Sequence, residues 1–393
     1  MPDQISRKPG RHFLQIPGPS NVPDRVLRAM AGPTIDHRSP EFAQLTFRIL
    51  ENLGKVFQTS EPVLLFPSSG TGAWEAALVN TLSQGDRVLA FETGHFATLW
   101  RDIALRLGLE VEWAEGDWRR GVDLSVAKTR LEADVGHTIK AVLVVHSETS
   151  TGALSDVAGV RRVLDEVGHP ALLLVDTISS LASVDYRHDE WRVDVTVCCS
   201  QKGLMLPPGL GLNAISKKAL EASASGGLPR SYWDWGPVLK LNERGFFPYT
   251  PPTNLLFGMD EALGMILEEG LENVFARHRR LAEATRIAVR AWGLDLCCLD
   301  PAENTDSLTA VWMPDGHDVD ELRRLILNRF DMSLGTGLGN VKGRMFRIGH
   351  LGDMNDLMLA GTVCGVEMGL GLAGIPHKKG GVAAALDHLA STA

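Results

Sequence analysis

Two ionisable residues stand where apolar runs of the chain end. Asp176 closes Ala-Leu-Leu-Leu-Val-Asp, and Lys202 follows Val-Thr-Val-Cys-Cys-Ser-Gln. An amine can add to a carbonyl carbon and accept a proton; a carboxylate can hold a proton on a ring nitrogen. Together they suit a planar aldehyde cofactor gripped from two sides. The lysine bonds its aldehyde carbon, and the acid keeps a pyridine nitrogen protonated so that the ring takes up carbanion electrons. Pyridoxal phosphate is such a cofactor. Taken singly, Asp176 reads more simply as a turn or cap residue after a strand and Lys202 as a solvated loop lysine, so only the pairing carries the reading.

A phosphate needs backbone N–H donors at a helix start, where the dipole also favours negative charge. Ser68-Ser69-Gly70-Thr71-Gly72-Ala73 stands between an apolar run and a helical stretch and could supply them. A plain strand-to-helix connection would look the same. The turn lacks the Gly-Lys-Ser/Thr of a nucleotide-triphosphate loop, and Gly70-Thr71-Gly72 followed by Glu75 lacks the glycine spacing and distant acid of a dinucleotide site.

Positioning these residues requires a sheet whose strands end together. Apolar runs at 63–66, 88–91, 141–145, 171–175 and 193–199 alternate with helical stretches at 73–82, 96–107 and 157–167. Strands apolar on both faces joined by crossover helices predict an α/β domain with a mainly parallel sheet, whose carboxyl ends form the ligand crevice. Ser39-Pro40-Glu41 starts an earlier helix by a cap, a first-turn proline and an acid. Residues 222–230 read as a loop. A long helix around 272–292, strands near 294–299, 308–312 and 345–348, and helices near 319–327 and 356–370 predict a smaller α+β domain. The expected organisation is an N-terminal arm over 1–20, a large cofactor-binding domain over 21–275 and a small domain over 276–393.

With 393 residues, 44% of them hydrophobic, the chain can bury a large core. Its formal charge of −9 argues against nucleic acid or an anionic membrane as partner. The five cysteines form two adjacent pairs, Cys198-Cys199 and Cys297-Cys298, plus Cys364, with neither metal-ligand nor disulfide spacing. The expectation is a cytoplasmic protein without a metal, a secretory signal, a membrane span or a peroxisomal terminus.

The ordered set Pro17-Gly18-Pro19-Ser20-Asn21, Ser69-Gly70-Thr71-Gly72, His146-Ser147-Glu148-Thr149-Ser150-Thr151-Gly152, Val175-Asp176, Ser200-Gln201-Lys202, Pro207-Pro208-Gly209, Tyr249-Thr250-Pro251-Pro252 and Phe346-Arg347-Ile348-Gly349 spans nearly the whole chain. It resembles the class V aminotransferases of pyridoxal-phosphate fold type I, and most the serine–glyoxylate and alanine–glyoxylate group. The resemblance implies that Lys202 bonds the cofactor, Asp176 meets its ring nitrogen, and Ser69, Gly70, Thr71 and Gln201 surround its phosphate. Phe96 would cover the ring, Ser150 would approach the phenolic oxygen, and Thr250 would reach the phosphate of a second subunit in a homodimer. Arg347 would bind the carboxylate shared by amino acid and 2-oxo acid substrates. Phe96 reads equally as a core residue on a helix's first turn, and Ser150 as a turn residue.

The resemblance implies transamination from L-serine to glyoxylate, with L-aspartate and L-alanine as alternative donors. His37-Arg38 is similar to a pair that meets the side-chain anion of the substrate in phosphoserine aminotransferases, and would suit a dicarboxylate donor; it reads equally as a decorated helix start. A lyase or cysteine desulfurase is the more distant alternative, and would need a nucleophilic cysteine on a mobile loop rather than in these apolar runs.

Overall fold

The computed structural model describes residues 10–392. The apolar runs assemble into a seven-stranded sheet in the order Val63–Ser68, Gly209–Ile215, Val195–Cys199, Leu172–Asp176, Ile139–Val145, Arg87–Phe91, Glu110–Ala114. Its neighbours pair in parallel except around Gly209–Ile215, which runs antiparallel to both flanking strands. The register sets Val145 beside Asp176 and Asp176 beside Val197. The chain therefore leaves these central strands on one edge.

Crossover helices cover both faces. Val157–Val167 shows how the sequence builds one: the Asp156 carboxylate accepts from Gly159 N at 2.7 Å, and Gly168 ends the helix at φ +66°. Val157, Val160, Val163 and Leu164 are buried on one face, each contributing about 1.5–3 kcal/mol. Ser39 likewise caps the helix Pro40–Phe57, accepting from Phe42 N at 3.1 Å.

A second, five-stranded sheet runs Phe13–Gln15, Met332–Thr336, Met345–Gly349, Leu308–Trp312, Asp295–Leu296. Helices Leu271–Trp292, Val319–Phe330, Asp356–Leu372 and Gly381–Ser391 pack on it around a core of Trp292, Phe346, Ile348 and Val363.

Several local expectations change. The stretch expected as an irregular arm contains Phe13–Gln15, which pairs in parallel with Met332–Leu334; residues 1–9 of that arm lie outside the described residues. The helix Lys217–Ser225, capped by Ser216, takes the first four residues of the expected loop at 222–230. In 294–299 only Asp295 and Leu296 pair as a strand. The sequence did not single out Glu110–Ala114, an edge strand carrying charges, or Gly209–Ile215, which turns against the parallel pattern.

Candidate active site

Asp176 is the last residue of its strand, and Lys202 follows Val195–Cys199 by three residues. Both are buried. Asp176 accepts from Ile178 N at 2.6 Å and has no cation within ion-pair distance among the described residues. Burial, reinforced by the charge of Glu148, raises its carboxyl to about 7. Trp74 Nε1, buried without a well-formed hydrogen bond, lies close enough to pull the other way. Burial lowers the Lys202 amine to about 8, where a useful fraction is neutral near pH 7.

The lysine is held by the segment leaving the second sheet. Its Nζ donates to Pro17 O, its carbonyl accepts from Ser20 Oγ at 2.8 Å, and Ser20 N donates to Gln201 O at 3.0 Å. A Cβ on Gly18 would stand 2.3 Å from Lys202 Cδ, so the close pass requires glycine there.

Arg347 comes from the second sheet, in Met345–Gly349, and is 6% exposed. Its Nε donates to Thr336 O at 2.8 Å and its Nη1 to Thr149 O at 2.6 Å. No carboxylate pairs with it among the described residues, and Nη2 remains open for one. Burial lowers it to about 10, so it stays charged near neutrality.

Phe96 sits on the first turn of His95–Arg106, half-buried against the Trp74–Trp100 stack, with ring centroids 6.4 Å from Trp74. The Ser150 hydroxyl is already committed: it donates to Glu148 Oε1 at 2.6 Å and accepts from His95 N at 3.0 Å. That leaves it no proton for a phenolic oxygen. The neighbouring Thr149 hydroxyl donates to Ser179 Oγ at 2.9 Å.

Ser69 and Thr71 are exposed at the start of Gly70–Thr81, and no side chain caps that helix. A Cβ on Gly70 would meet Ile178 Cδ1 at 2.3 Å, and one on Gly72 would meet Ser68 Oγ at 2.1 Å. The turn thus brings bare backbone N–H groups close to the strand ends, and Gln201 Oε1 is buried without a partner. An uncapped helix start, a buried acid without a cation and a buried amine fit pyridoxal phosphate.

Three expected residues stand apart. Thr250 is exposed. At the start of Pro40–Phe57, Arg38 N donates to Asp36 Oδ1 at 2.9 Å and His37 Nε2 is buried without a partner. No described contact joins Thr250, His37 or Arg38 to Lys202, Asp176 or Arg347. A cavity of about 990 Å³ is lined by Glu92, Asp123, His146, Asp185 and Glu303 among others, and contains none of Lys202, Asp176 and Arg347. The convergent amine, acid and guanidinium mark the site because the chemistry needs them, whereas the carboxylates of the cavity are largely spent on caps and ion pairs.

The sequence reading did not assign Pro17, Trp74 or Glu148. Glu148 did carry a signal, as the one acid in a motif of small polar residues. All five cysteines are free thiols, and burial holds Cys297 at about 12 and Cys298 at about 11, so neither offers a thiolate for sulfur chemistry.

The class-V aminotransferase model matches residues 12–345. The chain is 49% identical to a serine–glyoxylate aminotransferase of Methylorubrum extorquens over 98% of this chain and 97% of that one. It is 48% identical to an L-aspartate–glyoxylate aminotransferase of Paracoccus denitrificans, covering 96% of each. Among solved structures, an alanine–glyoxylate aminotransferase from Nostoc sp. superposes with a TM-score of 0.87 at 32% identity, over 94% of this chain and 97% of that one. With its lysine, acid and guanidinium converging at the strand ends, the chain belongs to the class-V aminotransferase family and is a pyridoxal-phosphate-dependent aminotransferase.

Proposed function

We propose that the chain transfers the amino group of L-serine to glyoxylate, giving glycine and the 2-oxo acid of the donor, with L-aspartate and L-alanine as alternative donors. The observation that carries the reading is Arg347: a buried guanidinium with two donors spent on carbonyls and an open edge suits the carboxylate that donor and acceptor both present. The substrates come from the relatives, among which 48% identity separates this chain from an aspartate enzyme and 49% from a serine enzyme.

In this reading pyridoxal phosphate, when bound, supplies the carbon that carries the amino group and the ring that takes up electrons. Asp176 holds a proton on the ring nitrogen. Arg347 fixes the substrate carboxylate and so aims the Cα–H bond at Lys202. Lys202 Nζ, freed as a neutral amine, takes the Cα proton and hands it on. Ser69, Gly70, Thr71 and Gln201 hold the phosphate, and Phe96 covers the ring. Ser150 acts on the cofactor through Glu148 and His95 rather than by donating to it.

The same proposal includes a homodimer in a reducing, cytoplasmic setting. The exposed Thr250 suits a reach to the phosphate of a second copy, and five free thiols suit that compartment. It also divides the chain into an arm over 1–20, a large domain over 21–275 and a small domain over 276–393. Support comes from a core that draws on residues from Leu281 to Leu389.

The experiment is a set of initial rates with glyoxylate and each of serine, alanine and aspartate, quantifying glycine and the 2-oxo acid. Equal amounts of the two products are expected, and Lys202→Ala should abolish both turnover and the visible absorbance of lysine-bound cofactor. Release of sulfide or ammonia in place of glycine would overturn the assignment.

A further inference from the structure

Glu148 is a buried titratable group to which the steps above give no direct contact with substrate or cofactor. It is 0% exposed. No Lys or Arg lies within ion-pair distance of it among the described residues. Four protein donors satisfy it instead: Phe96 N at 3.1 Å, Ala97 N at 3.1 Å, Ser150 N at 2.9 Å and Ser150 Oγ at 2.6 Å. A buried carboxylate without a cation is costly to keep.

Helix capping alone does not call for it. Most side-chain caps of the other described α-helices come from their own N-cap residues, such as Ser39, Asp123, Asp156, Ser216 and Asn355. Where a distant carboxylate does cap a helix with Gly at its start, as Glu367 does by accepting from Val382 N at 3.0 Å, that carboxylate is only partly buried. The helix His95–Arg106 has Gly94 at that place and takes its cap from a residue about fifty positions away. Glycine there is a matter of room, since a Cβ on Gly94 would stand 2.4 Å from Glu148 Cγ.

The adjoining peptide makes the second link, for Thr149 O accepts from Arg347 Nη1 at 2.6 Å. One turn, Glu148–Ser150, thus anchors both the helix start that bears Phe96 and the guanidinium delivered by the other sheet. The negative charge of Glu148 also stabilises the charged form of Arg347.

We infer that Glu148 is a positioning residue: it holds the Phe96 ring in place over the cofactor, and its charge balances Arg347 until a substrate carboxylate takes over that role. The inference rests on the roles proposed above for Phe96 and Arg347.

Glu148→Gln keeps the size and removes the charge, while Gly94→Ala keeps the charge and pushes the carboxylate aside. Apo-protein of each is titrated with pyridoxal phosphate, followed by tryptophan quenching and by the visible circular dichroism of the bound cofactor; donor kinetics are then measured on the loaded enzymes. Both variants should raise the cofactor Kd about tenfold and weaken its dichroism, through loss of charge-assisted bonds that order the helix start. Glu148→Gln alone should lower the donor KM about threefold while kcat falls about tenfold, because an uncompensated Arg347 binds a carboxylate more tightly. A merely structural residue would raise KM and lower kcat in step with lost thermal stability.

Wild-type cofactor affinity and dichroism in either folded variant would overturn the positioning role. A donor KM that is unchanged or raised in Glu148→Gln would overturn the charge role. The cofactor titration needs no turnover, so it still decides the positioning role if wild-type enzyme proves to use none of the three donors.

Discussion

Arg347→Lys tests the substrate site most directly. The arginine spends Nε and Nη1 on the Thr336 and Thr149 carbonyls at 2.8 and 2.6 Å and keeps an open edge. A lysine retains the charge but has no planar fork, so it can hold a carboxylate oxygen or a carbonyl but not reproduce the set. Losing one charge-assisted bond to substrate, and leaving a buried carbonyl without its donor, costs about 2–3 kcal/mol, or roughly 30–150-fold in kcat/KM. Because amino and oxo acid place their carboxylates at the same spot, the loss should be similar for donor and glyoxylate and fall mainly on KM. Steady-state rates with each substrate varied, backed by single-turnover half-reactions, provide the assay; the absorbance of bound cofactor should be unchanged. A change below about threefold, or a loss confined to one substrate, would refute the reasoning.

Asp176→Asn removes the group proposed to hold a proton on the ring nitrogen; breaking such a buried charged contact costs about 3–5 kcal/mol, so kcat should fall by roughly 150- to 5,000-fold, and a decrease under tenfold would contradict the role. Burial lowers His146 and His188 to about 4 and His278 to about 3. A folded pKa below the unfolded one means that their stabilisation, about 3 kcal/mol for His146 and His188 and about 5 kcal/mol for His278, is present above about pH 6.5 and lost as the pH falls through about 4 and about 3 respectively. Asp176, raised to about 7, works in the opposite sense in apo-protein: its contribution is complete below about pH 4 and lost as the pH rises through 7. The histidines should dominate, and urea titrations of apo-protein giving equal stability at pH 7 and 4.5 would count against this. If His37 and Arg38 meet a donor's side chain, replacing both by Ala should lower kcat/KM about tenfold for aspartate and leave serine within about twofold; equal effects on both donors would make the pair structural.

The parallel sheet was readable because strands buried on both faces must be apolar throughout, and the runs ending at Phe91, Val145 and Asp176 are. Glu110–Ala114 escaped because an edge strand can carry charges, and Gly209–Ile215 because an apolar run does not reveal its direction. Helix ends at Ser39, Asp156 and Gly168 were set by local capping chemistry, which needs only neighbouring residues. Ser150 shows the limit of motif reading: its hydroxyl could be placed near the cofactor by resemblance, yet its proton is spent on Glu148.

By itself the sequence picked out Lys202, Asp176, the glycine-rich turn Ser69–Gly72 and the strand pattern that brings the first two to one edge, because these follow from residue type and short-range periodicity. Only the tertiary structure decided that Pro17 and Arg347, delivered from a second sheet, meet Lys202 and Thr149, and that a carboxylate in one strand segment caps a helix some fifty residues earlier. Those contacts depend on how two sheets pack, a property of long-range shape and burial that no local spacing encodes.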